Sequence, residues 1–266
     1  MTITMKMKTM LRLLLVLVLT SAVVVSAAGQ EKAINVAAAA DLSSALKEIG
    51  ANFEKQKGIE VKLSFGASGA LTQQIENGAP FDVFLSADMG YPQKLISENH
   101  ATSATLYRYA VGKLVLWSLP DSPLNFERDG MNAILDPSVQ KIAIGNPEHA
   151  PYGRAAVAAL KHAGLYEKVS ARLVMGENIA QAAQFVESGN AQVGFVALAH
   201  AMAPEMQGKG KYWLVPADSY PPLDQGVIVI SNAAHAKEAG EFVQFIKSKE
   251  TAAILQRYGF TLPETK

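Results

Sequence analysis

Four short segments of this sequence place small residues, hydroxyls and free backbone N–H groups where a strand should give way to a helix. They are Ala40-Asp41-Leu42-Ser43, Gly66-Ala67-Ser68-Gly69, Ala150-Pro151-Tyr152-Gly153 and Gly176-Glu177-Asn178-Ile179. A helix start leaves unpaired N–H groups and a partial positive charge of about half a unit. It can therefore hold an anion without any lysine or arginine. In parallel α/β folds, ligands collect at these places, beyond the carboxyl ends of the strands. Any one of the four segments reads first as an ordinary helix cap; four of them around one cleft point further, to an anion site. Asp41 is the discordant member, an acid where an anion would have to sit.

Catalytic chemistry has a weaker footing. Gly66-Ala67-Ser68-Gly69-Ala70 resembles a nucleophile elbow but lacks its last glycine. A serine hydrolase using Ser68 would need a base from His100, His149, His162, His200 or His235, and none has flanking sequence that places it beside Ser68. The histidines do not share the three- or four-residue spacing of a metal site, and no H-E-x-x-H occurs. His149 reads as a surface or capping residue. Neither a P-loop nor a dinucleotide-binding glycine motif is present.

The elements that would carry these joints alternate along the chain. Ile34–Ala37 reads as a strand, Leu42–Gln56 as an amphipathic helix stopped by Gly58, and Glu60–Phe65 as a strand. A helix over Ala70–Asn77, a buried strand over Phe81–Asp88 and a helix over Tyr91–Glu98 follow. This rhythm implies a mostly parallel sheet flanked by helices. A second set begins with strands at Lys113–Ser118 and Lys141–Gly145 and an alanine-rich helix over 152–163. It continues through Arg172–Met175, a helix at Ile179–Glu187 and a strand at Val193–Ala197. Gly226–Ile230 and helices at Ala234–Lys247 and Thr251–Tyr258 close the chain.

Two α/β sets without a flexible linker imply two lobes, with crossings near Gly112 and Gly226 and the site in the cleft between them. The expected division is 29–112 with 226–266 for one lobe and 113–225 for the other. A single large doubly wound sheet is the alternative. Tyr107 and Tyr109 should pack the hinge, Trp117 and Trp213 the second lobe, and Arg108 a solvated face.

Residues 1–28 read as a cleaved signal peptide. Lys6, Lys8 and Arg12 make a positive n-region, Leu11–Val25 is an almost unbroken apolar run, and Ser26, Ala27 and Ala28 offer a cleavage site. The run is shorter than the ~20 residues a spanning helix needs. The expected product is exported and soluble, in the periplasm. Cysteine is absent, which excludes disulfides, thiol catalysis, cysteine–metal sites and a lipidated cysteine anchor. Three of the 24 basic residues lie in the leader, so 21 remain against 24 acids, a net charge of −3. Nucleic acid and anionic membrane are therefore poor electrostatic partners.

At these joints the chain resembles the periplasmic molybdate-binding proteins of ABC importers. The likeness rests on AAAADLSSAL at Ala37–Leu46, LSFGASGALTQQIENGAPFDVFLSAD at Leu63–Asp88 and IAIGNPEHAPYGRAAVAAL at Ile142–Leu160. VGFVALA at Val193–Ala199 and the C-terminal QRYGFTLP extend it over essentially the whole mature chain. The resemblance implies a two-lobed type II binding-protein fold with a double-crossover hinge. It implies a monomer that takes molybdate or tungstate and passes it to a membrane permease, with no cofactor and no enzymatic activity.

It also implies site roles. The metal is held as its oxyanion and not as a bare cation, at Asp41, Ser68, Tyr152 and Ile179. Ser68 should donate its hydroxyl and its N–H; Tyr152 and Ile179 should donate backbone N–H groups, with side chains free to vary. Asp41 stands where a serine or threonine often donates a hydroxyl, and Ala197 where some members carry a tyrosine. An ionised Asp41 facing a dianion is unfavourable, about 4 kcal/mol for two unit charges 4 Å apart at an effective dielectric near 20. Three resolutions stay open. Asp41 caps the N–H groups of Ser43 or Ser44, it is protonated and donates, or it accepts from a protonated anion such as phosphate. The last would make the protein a receptor for phosphate or sulfate.

Overall fold

The computed structural model describes residues 32–263. The expected signal peptide lies outside the described residues. No helix among them is long and apolar enough to cross a membrane.

The strands are β1 (Lys32–Ala39), β2 (Ile59–Gly66), β3 (Val83–Ser86), β4 (Tyr107–Gly112), β5 (Leu114–Ser118), β6 (Ile142–Gly145), β7 (Leu173–Gly176), β8 (Val193–Ala197), β9 (Lys211–Leu214) and β10 (Leu223–Val229). The longer helices are α1 (Ser43–Lys57), α2 (Ser68–Glu76), α3 (Gly90–Ser97), α4 (Pro151–His162), α5 (Ile179–Glu187), α6 (Ala236–Ile246) and α7 (Lys249–Arg257). They build two sheets, ordered β2-β1-β3-β10-β4 and β7-β6-β8-β5-β9. The two-lobed reading therefore holds over the single-sheet one.

Both sheets are mixed, a correction to the mostly parallel sheets expected. β1 runs parallel to β3, and β6 parallel to β7 and β8. β10 is antiparallel to β3 and β4, and β5 to β8 and β9. The cause is the chain path. β5 and β10 are the strands that arrive from the other sheet, so neither is fed by a right-handed β-α-β crossover on its own sheet. The passage out is the single residue Lys113, and the return lies between Leu214 and Leu223. Gly226 is inside β10, paired with Ser86 and Arg108.

Central strands are buried along their whole length, as VFLS, IAIG and VGFVA show, which is the pattern of strands covered on both faces. Helix α1 buries Ala45, Leu46, Ile49 and Phe53 on one face and ends at Gly58, whose φ of 64° suits a glycine C-cap. Phe53 meets Phe242 edge-on at 5.0 Å and Phe245 at 5.5 Å, fastening α1 to α6. Trp117 is buried, consistent with its expected packing role.

The pairing of β4 with β10 slips by one residue at Tyr109. Ala110 faces Gln225 and Arg108 faces Gly226, leaving Tyr109 as the extra residue of a bulge. A bulge bends its strand and re-aims a side chain. Tyr109 is buried and donates its hydroxyl to Gln225 Oε1 at 3.0 Å. Arg108 pairs with Asp224 at 3.2 Å on the half-exposed side.

Asp82 secures the opposite end of the first sheet. It is 1 % exposed and accepts from Asn35 N at 2.8 Å and from His235 N at 3.0 Å. Replacing it would strand two backbone donors, each costing about 1–3 kcal/mol when buried. Asp82→Ala should lower the unfolding free energy by roughly 2–4 kcal/mol in a urea titration. A loss below about 0.5 kcal/mol, the range of an ordinary surface change, would contradict this anchoring role.

Candidate functional site

Between the two sheets lies a narrow cavity of about 10 Å³. Ala39–Asp41, Gly66–Ser68 and Ala87 line it from the first sheet's loops; 150–152 and Asn178–Ile179 line it from the second's. Asp41, Ser68, Tyr152 and Ile179 thus converge on one space. Its walls carry no lysine, arginine or histidine.

Each joint presents its donors differently. Ser68 opens α2 and is fully buried. Its Oγ accepts from Ala87 N at 3.0 Å, which leaves the hydroxyl proton available to donate elsewhere. The imidazoles of His149, His200 and His235 face Glu148, Glu187 and Asp82, not this hydroxyl. No group of three or more acidic or histidine side chains among the described residues could hold a metal ion.

Ile179 is the first residue of α5. The preceding Asn178 side chain accepts from Ala180 N at 3.0 Å and Gln181 N at 3.1 Å. This cap satisfies the second and third N–H groups of the helix and leaves that of Ile179 for the cavity. At α4, Pro151 occupies the first position and has no N–H, so Tyr152 supplies the leading donor. Ala197 ends β8 opposite Leu114 and is not part of the cavity wall.

The Tyr152 side chain is not free to vary, a correction to the expected role. It is 1 % exposed and reaches back to the hinge. A Cβ on Gly112 would lie 2.1 Å from Tyr152 Oη and 2.9 Å from Gln225 Nε2. Gly112 is required because the hydroxyl passes through the space a side chain would fill.

Asp41 also departs from expectation. It sits inside a 3-10 turn, Ala40–Leu42, and neither that turn nor α1 has a side-chain cap. Its carboxylate turns to the hinge instead, where Oδ2 accepts from Gln225 Nε2 at 2.8 Å. Oδ1 has no partner, and neither does Tyr152 Oη. The tyrosine hydroxyl lies near enough to steady the charge without reaching hydrogen-bond geometry. Burial pushes Asp41 up from 3.8 to about 6, against the lowering effect of Gln225 and Tyr152. Burial, and then the Asp41 charge, push the Tyr152 hydroxyl well above its ordinary range.

Contacts across the cleft hold the lobes together. Gly69 N donates to His149 O at 2.9 Å. Arg154 pairs with Asp88 and donates to Tyr91 Oη at 3.1 Å. A Cβ on Gly69 would lie 2.4 Å from Tyr91 Oη and 3.0 Å from His149 O, so a larger residue would displace the Tyr91 ring.

Residues 34–261 match the model of the family described as bacterial extracellular solute-binding protein. The chain belongs to this family. Among these solute-binding proteins it is 39 % identical to the molybdate-binding protein ModA of Rhodobacter capsulatus, over 84 % of this chain and 86 % of that one. It is likewise 39 % identical to ModA of Azotobacter vinelandii, over 88 % and 92 % of the two chains. The solved periplasmic molybdate-binding protein of A. vinelandii superposes with a TM-score of 0.81 at 35 % identity, covering 87 % of this chain and all of that one. The two-lobed solute-binding fold follows from these matches as well as from the strand order.

Sequence reasoning missed Gln225 and the cluster it organises. A glutamine at the head of the apolar run Gly226–Ile230 is the trace that could have revealed it. Asn178 was visible only as part of a joint, although an asparagine before a helix is a strong cap signal.

The raised Asp41 pKa has a consequence for stability. The folded chain binds this proton more tightly than an unfolded one, so ionisation of Asp41 opposes folding above about pH 6. The penalty is lost as pH falls through 6 towards 4. Asp41→Asn should therefore be more stable than the parent at pH 7.5, by up to roughly 3 kcal/mol. The advantage should vanish near pH 4 in paired urea titrations. An equal gap at both pH values would exclude a buried ionised carboxylate.

Proposed function

We propose that this solute-binding protein captures molybdate or tungstate in the interlobe cavity and passes it to the membrane permease of an ABC importer. The carrying observation is the convergence of Ser68, Tyr152 and Ile179 at helix starts around a cavity without cationic side chains. Molybdate and tungstate are fully deprotonated at neutral pH and only accept hydrogen bonds. The helix-start donors suit them, and an anion bearing its own proton would need an acceptor, which Asp41 alone offers among the lining side chains that carry charge. The curated relatives named as molybdate-binding proteins support the same ligand.

Holding the ligand needs both lobes, so binding favours the closed arrangement. Lys113 and the 215–222 return are the pivots. Capture is extracytoplasmic, in the periplasm after removal of residues 1–28, by a monomer without enzymatic activity.

A thermal-shift panel of the mature chain with molybdate, tungstate, sulfate and phosphate tests this. The first two should stabilise the protein, by about 2.7 kcal/mol when free anion is a hundredfold above Kd. Stabilisation by phosphate alone would overturn the assignment. Ser68→Ala removes one hydrogen bond to a charged ligand, about 1.5–3 kcal/mol. Molybdate affinity should then fall roughly 10- to 150-fold by calorimetry.

A further inference from the structure

Asp41 is the one acid in the cavity wall, and it is 4 % exposed. The hinge fixes how it is held. Tyr109 donates to Gln225 Oε1, which orients the amide so that Nε2 points at Asp41 Oδ2. One carboxylate oxygen is thereby satisfied and the other, Oδ1, is left without a partner.

No lysine, arginine or histidine lines the space beside the carboxylate. The titratable groups facing it are the phenols of Tyr109 on β4 and Tyr152 on α4, with Tyr220 behind them. Charged groups on the surrounding elements are matched elsewhere: Arg154 with Asp88, Arg108 with Asp224, His200 with Glu187 and Glu48 with Arg257. Glu205 bonds Ser44, and Lys47 is exposed. An arriving dianion would place three negative charges in one dry space, and desolvation strengthens their repulsion.

We propose that the anion enters this site together with one proton from solvent, which goes to Oδ1 of Asp41. The inference rests on the molybdate reading above. Protonation removes the carboxylate charge and turns Oδ1 from an unpaired acceptor into an O–H donor. The neutral acid then matches a ligand that only accepts, while Oδ2 keeps its bond from Gln225. Asp41 thus sets the pH range over which a proton-free dianion is held. Its pKa of about 6 leaves it mostly ionised at pH 7.5, so nearly a whole proton is gained on binding.

Calorimetric titration of the mature protein with molybdate, in buffers of different ionisation enthalpy at pH 7.5, measures the protons gained. About one proton per anion is expected, with affinity falling roughly tenfold per pH unit from 7 to 8.5. Asp41→Asn, and separately Asp41→Ser, should abolish the uptake and flatten the pH profile. Zero uptake in the parent protein, with molybdate binding intact, would overturn the coupling and leave the ligand assignment standing. Uptake that persists in a folded Asp41 variant would overturn the assignment to Asp41. Absence of molybdate and tungstate binding at every pH would defeat both readings together.

Discussion

The proposed ligand is a multiply charged anion, and the cavity wall meets it with groups that carry no full positive charge. That constraint shapes the rest of the molecule. Donors have to come from helix starts, so helix starts from both sheets have to meet. The lining residues are small wherever the main chain approaches the cavity, as at Ala39, Ala40, Ala67 and Ala87. Capping is selective for the same reason. Asn178 satisfies two N–H groups of its helix and leaves the one that faces inward.

The hinge is more than a connection. One residue separates β4 from β5, and the bulge at Tyr109 sits three positions before the end of β4. The bulge places a phenol beneath Gln225, Gln225 orients toward Asp41, and Tyr152 inserts from the other lobe over Gly112. Residues from β4, β10, α4 and the Ala40–Leu42 turn therefore share one buried polar cluster. Such clusters are costly when partly satisfied, and this one leaves two oxygen atoms unmatched. The unmatched atoms belong to residues on the wall of the cavity.

Much of this was legible in the sequence. The alternation of apolar runs and helical patterns located most elements, because central strands and one-sided helices leave strong periodic traces. The four joints were visible through glycine, proline, serine and asparagine at strand ends. What could not be read was the direction taken by the Asp41 and Tyr152 side chains. Local rules favour a cap for an acid beside Ser43 and Ser44, and the family resemblance implied a side chain free to vary at Tyr152. The first was overridden by Gln225, which is 184 residues from Asp41 in the chain and adjacent in space, and the second by the close approach of the Tyr152 hydroxyl to Gly112. The mixed strand directions were hidden for a similar reason. Periodicity reports which faces are buried and is silent on which lobe a strand has come from.

The closure contacts divide into two kinds with different sensitivities. The bond from Gly69 N to His149 O joins main chain to main chain, so ionic strength hardly touches it. The Arg154–Asp88 pair is partly exposed, and mobile ions screen such pairs over a Debye length of about 8 Å at physiological salt. Outside the cytoplasm, salt concentration follows the surroundings of the cell. The main-chain bond gives the closed form a floor that osmotic change cannot remove, and the ion pair adds grip that is strongest in dilute media, where scarce solutes are hardest to gather.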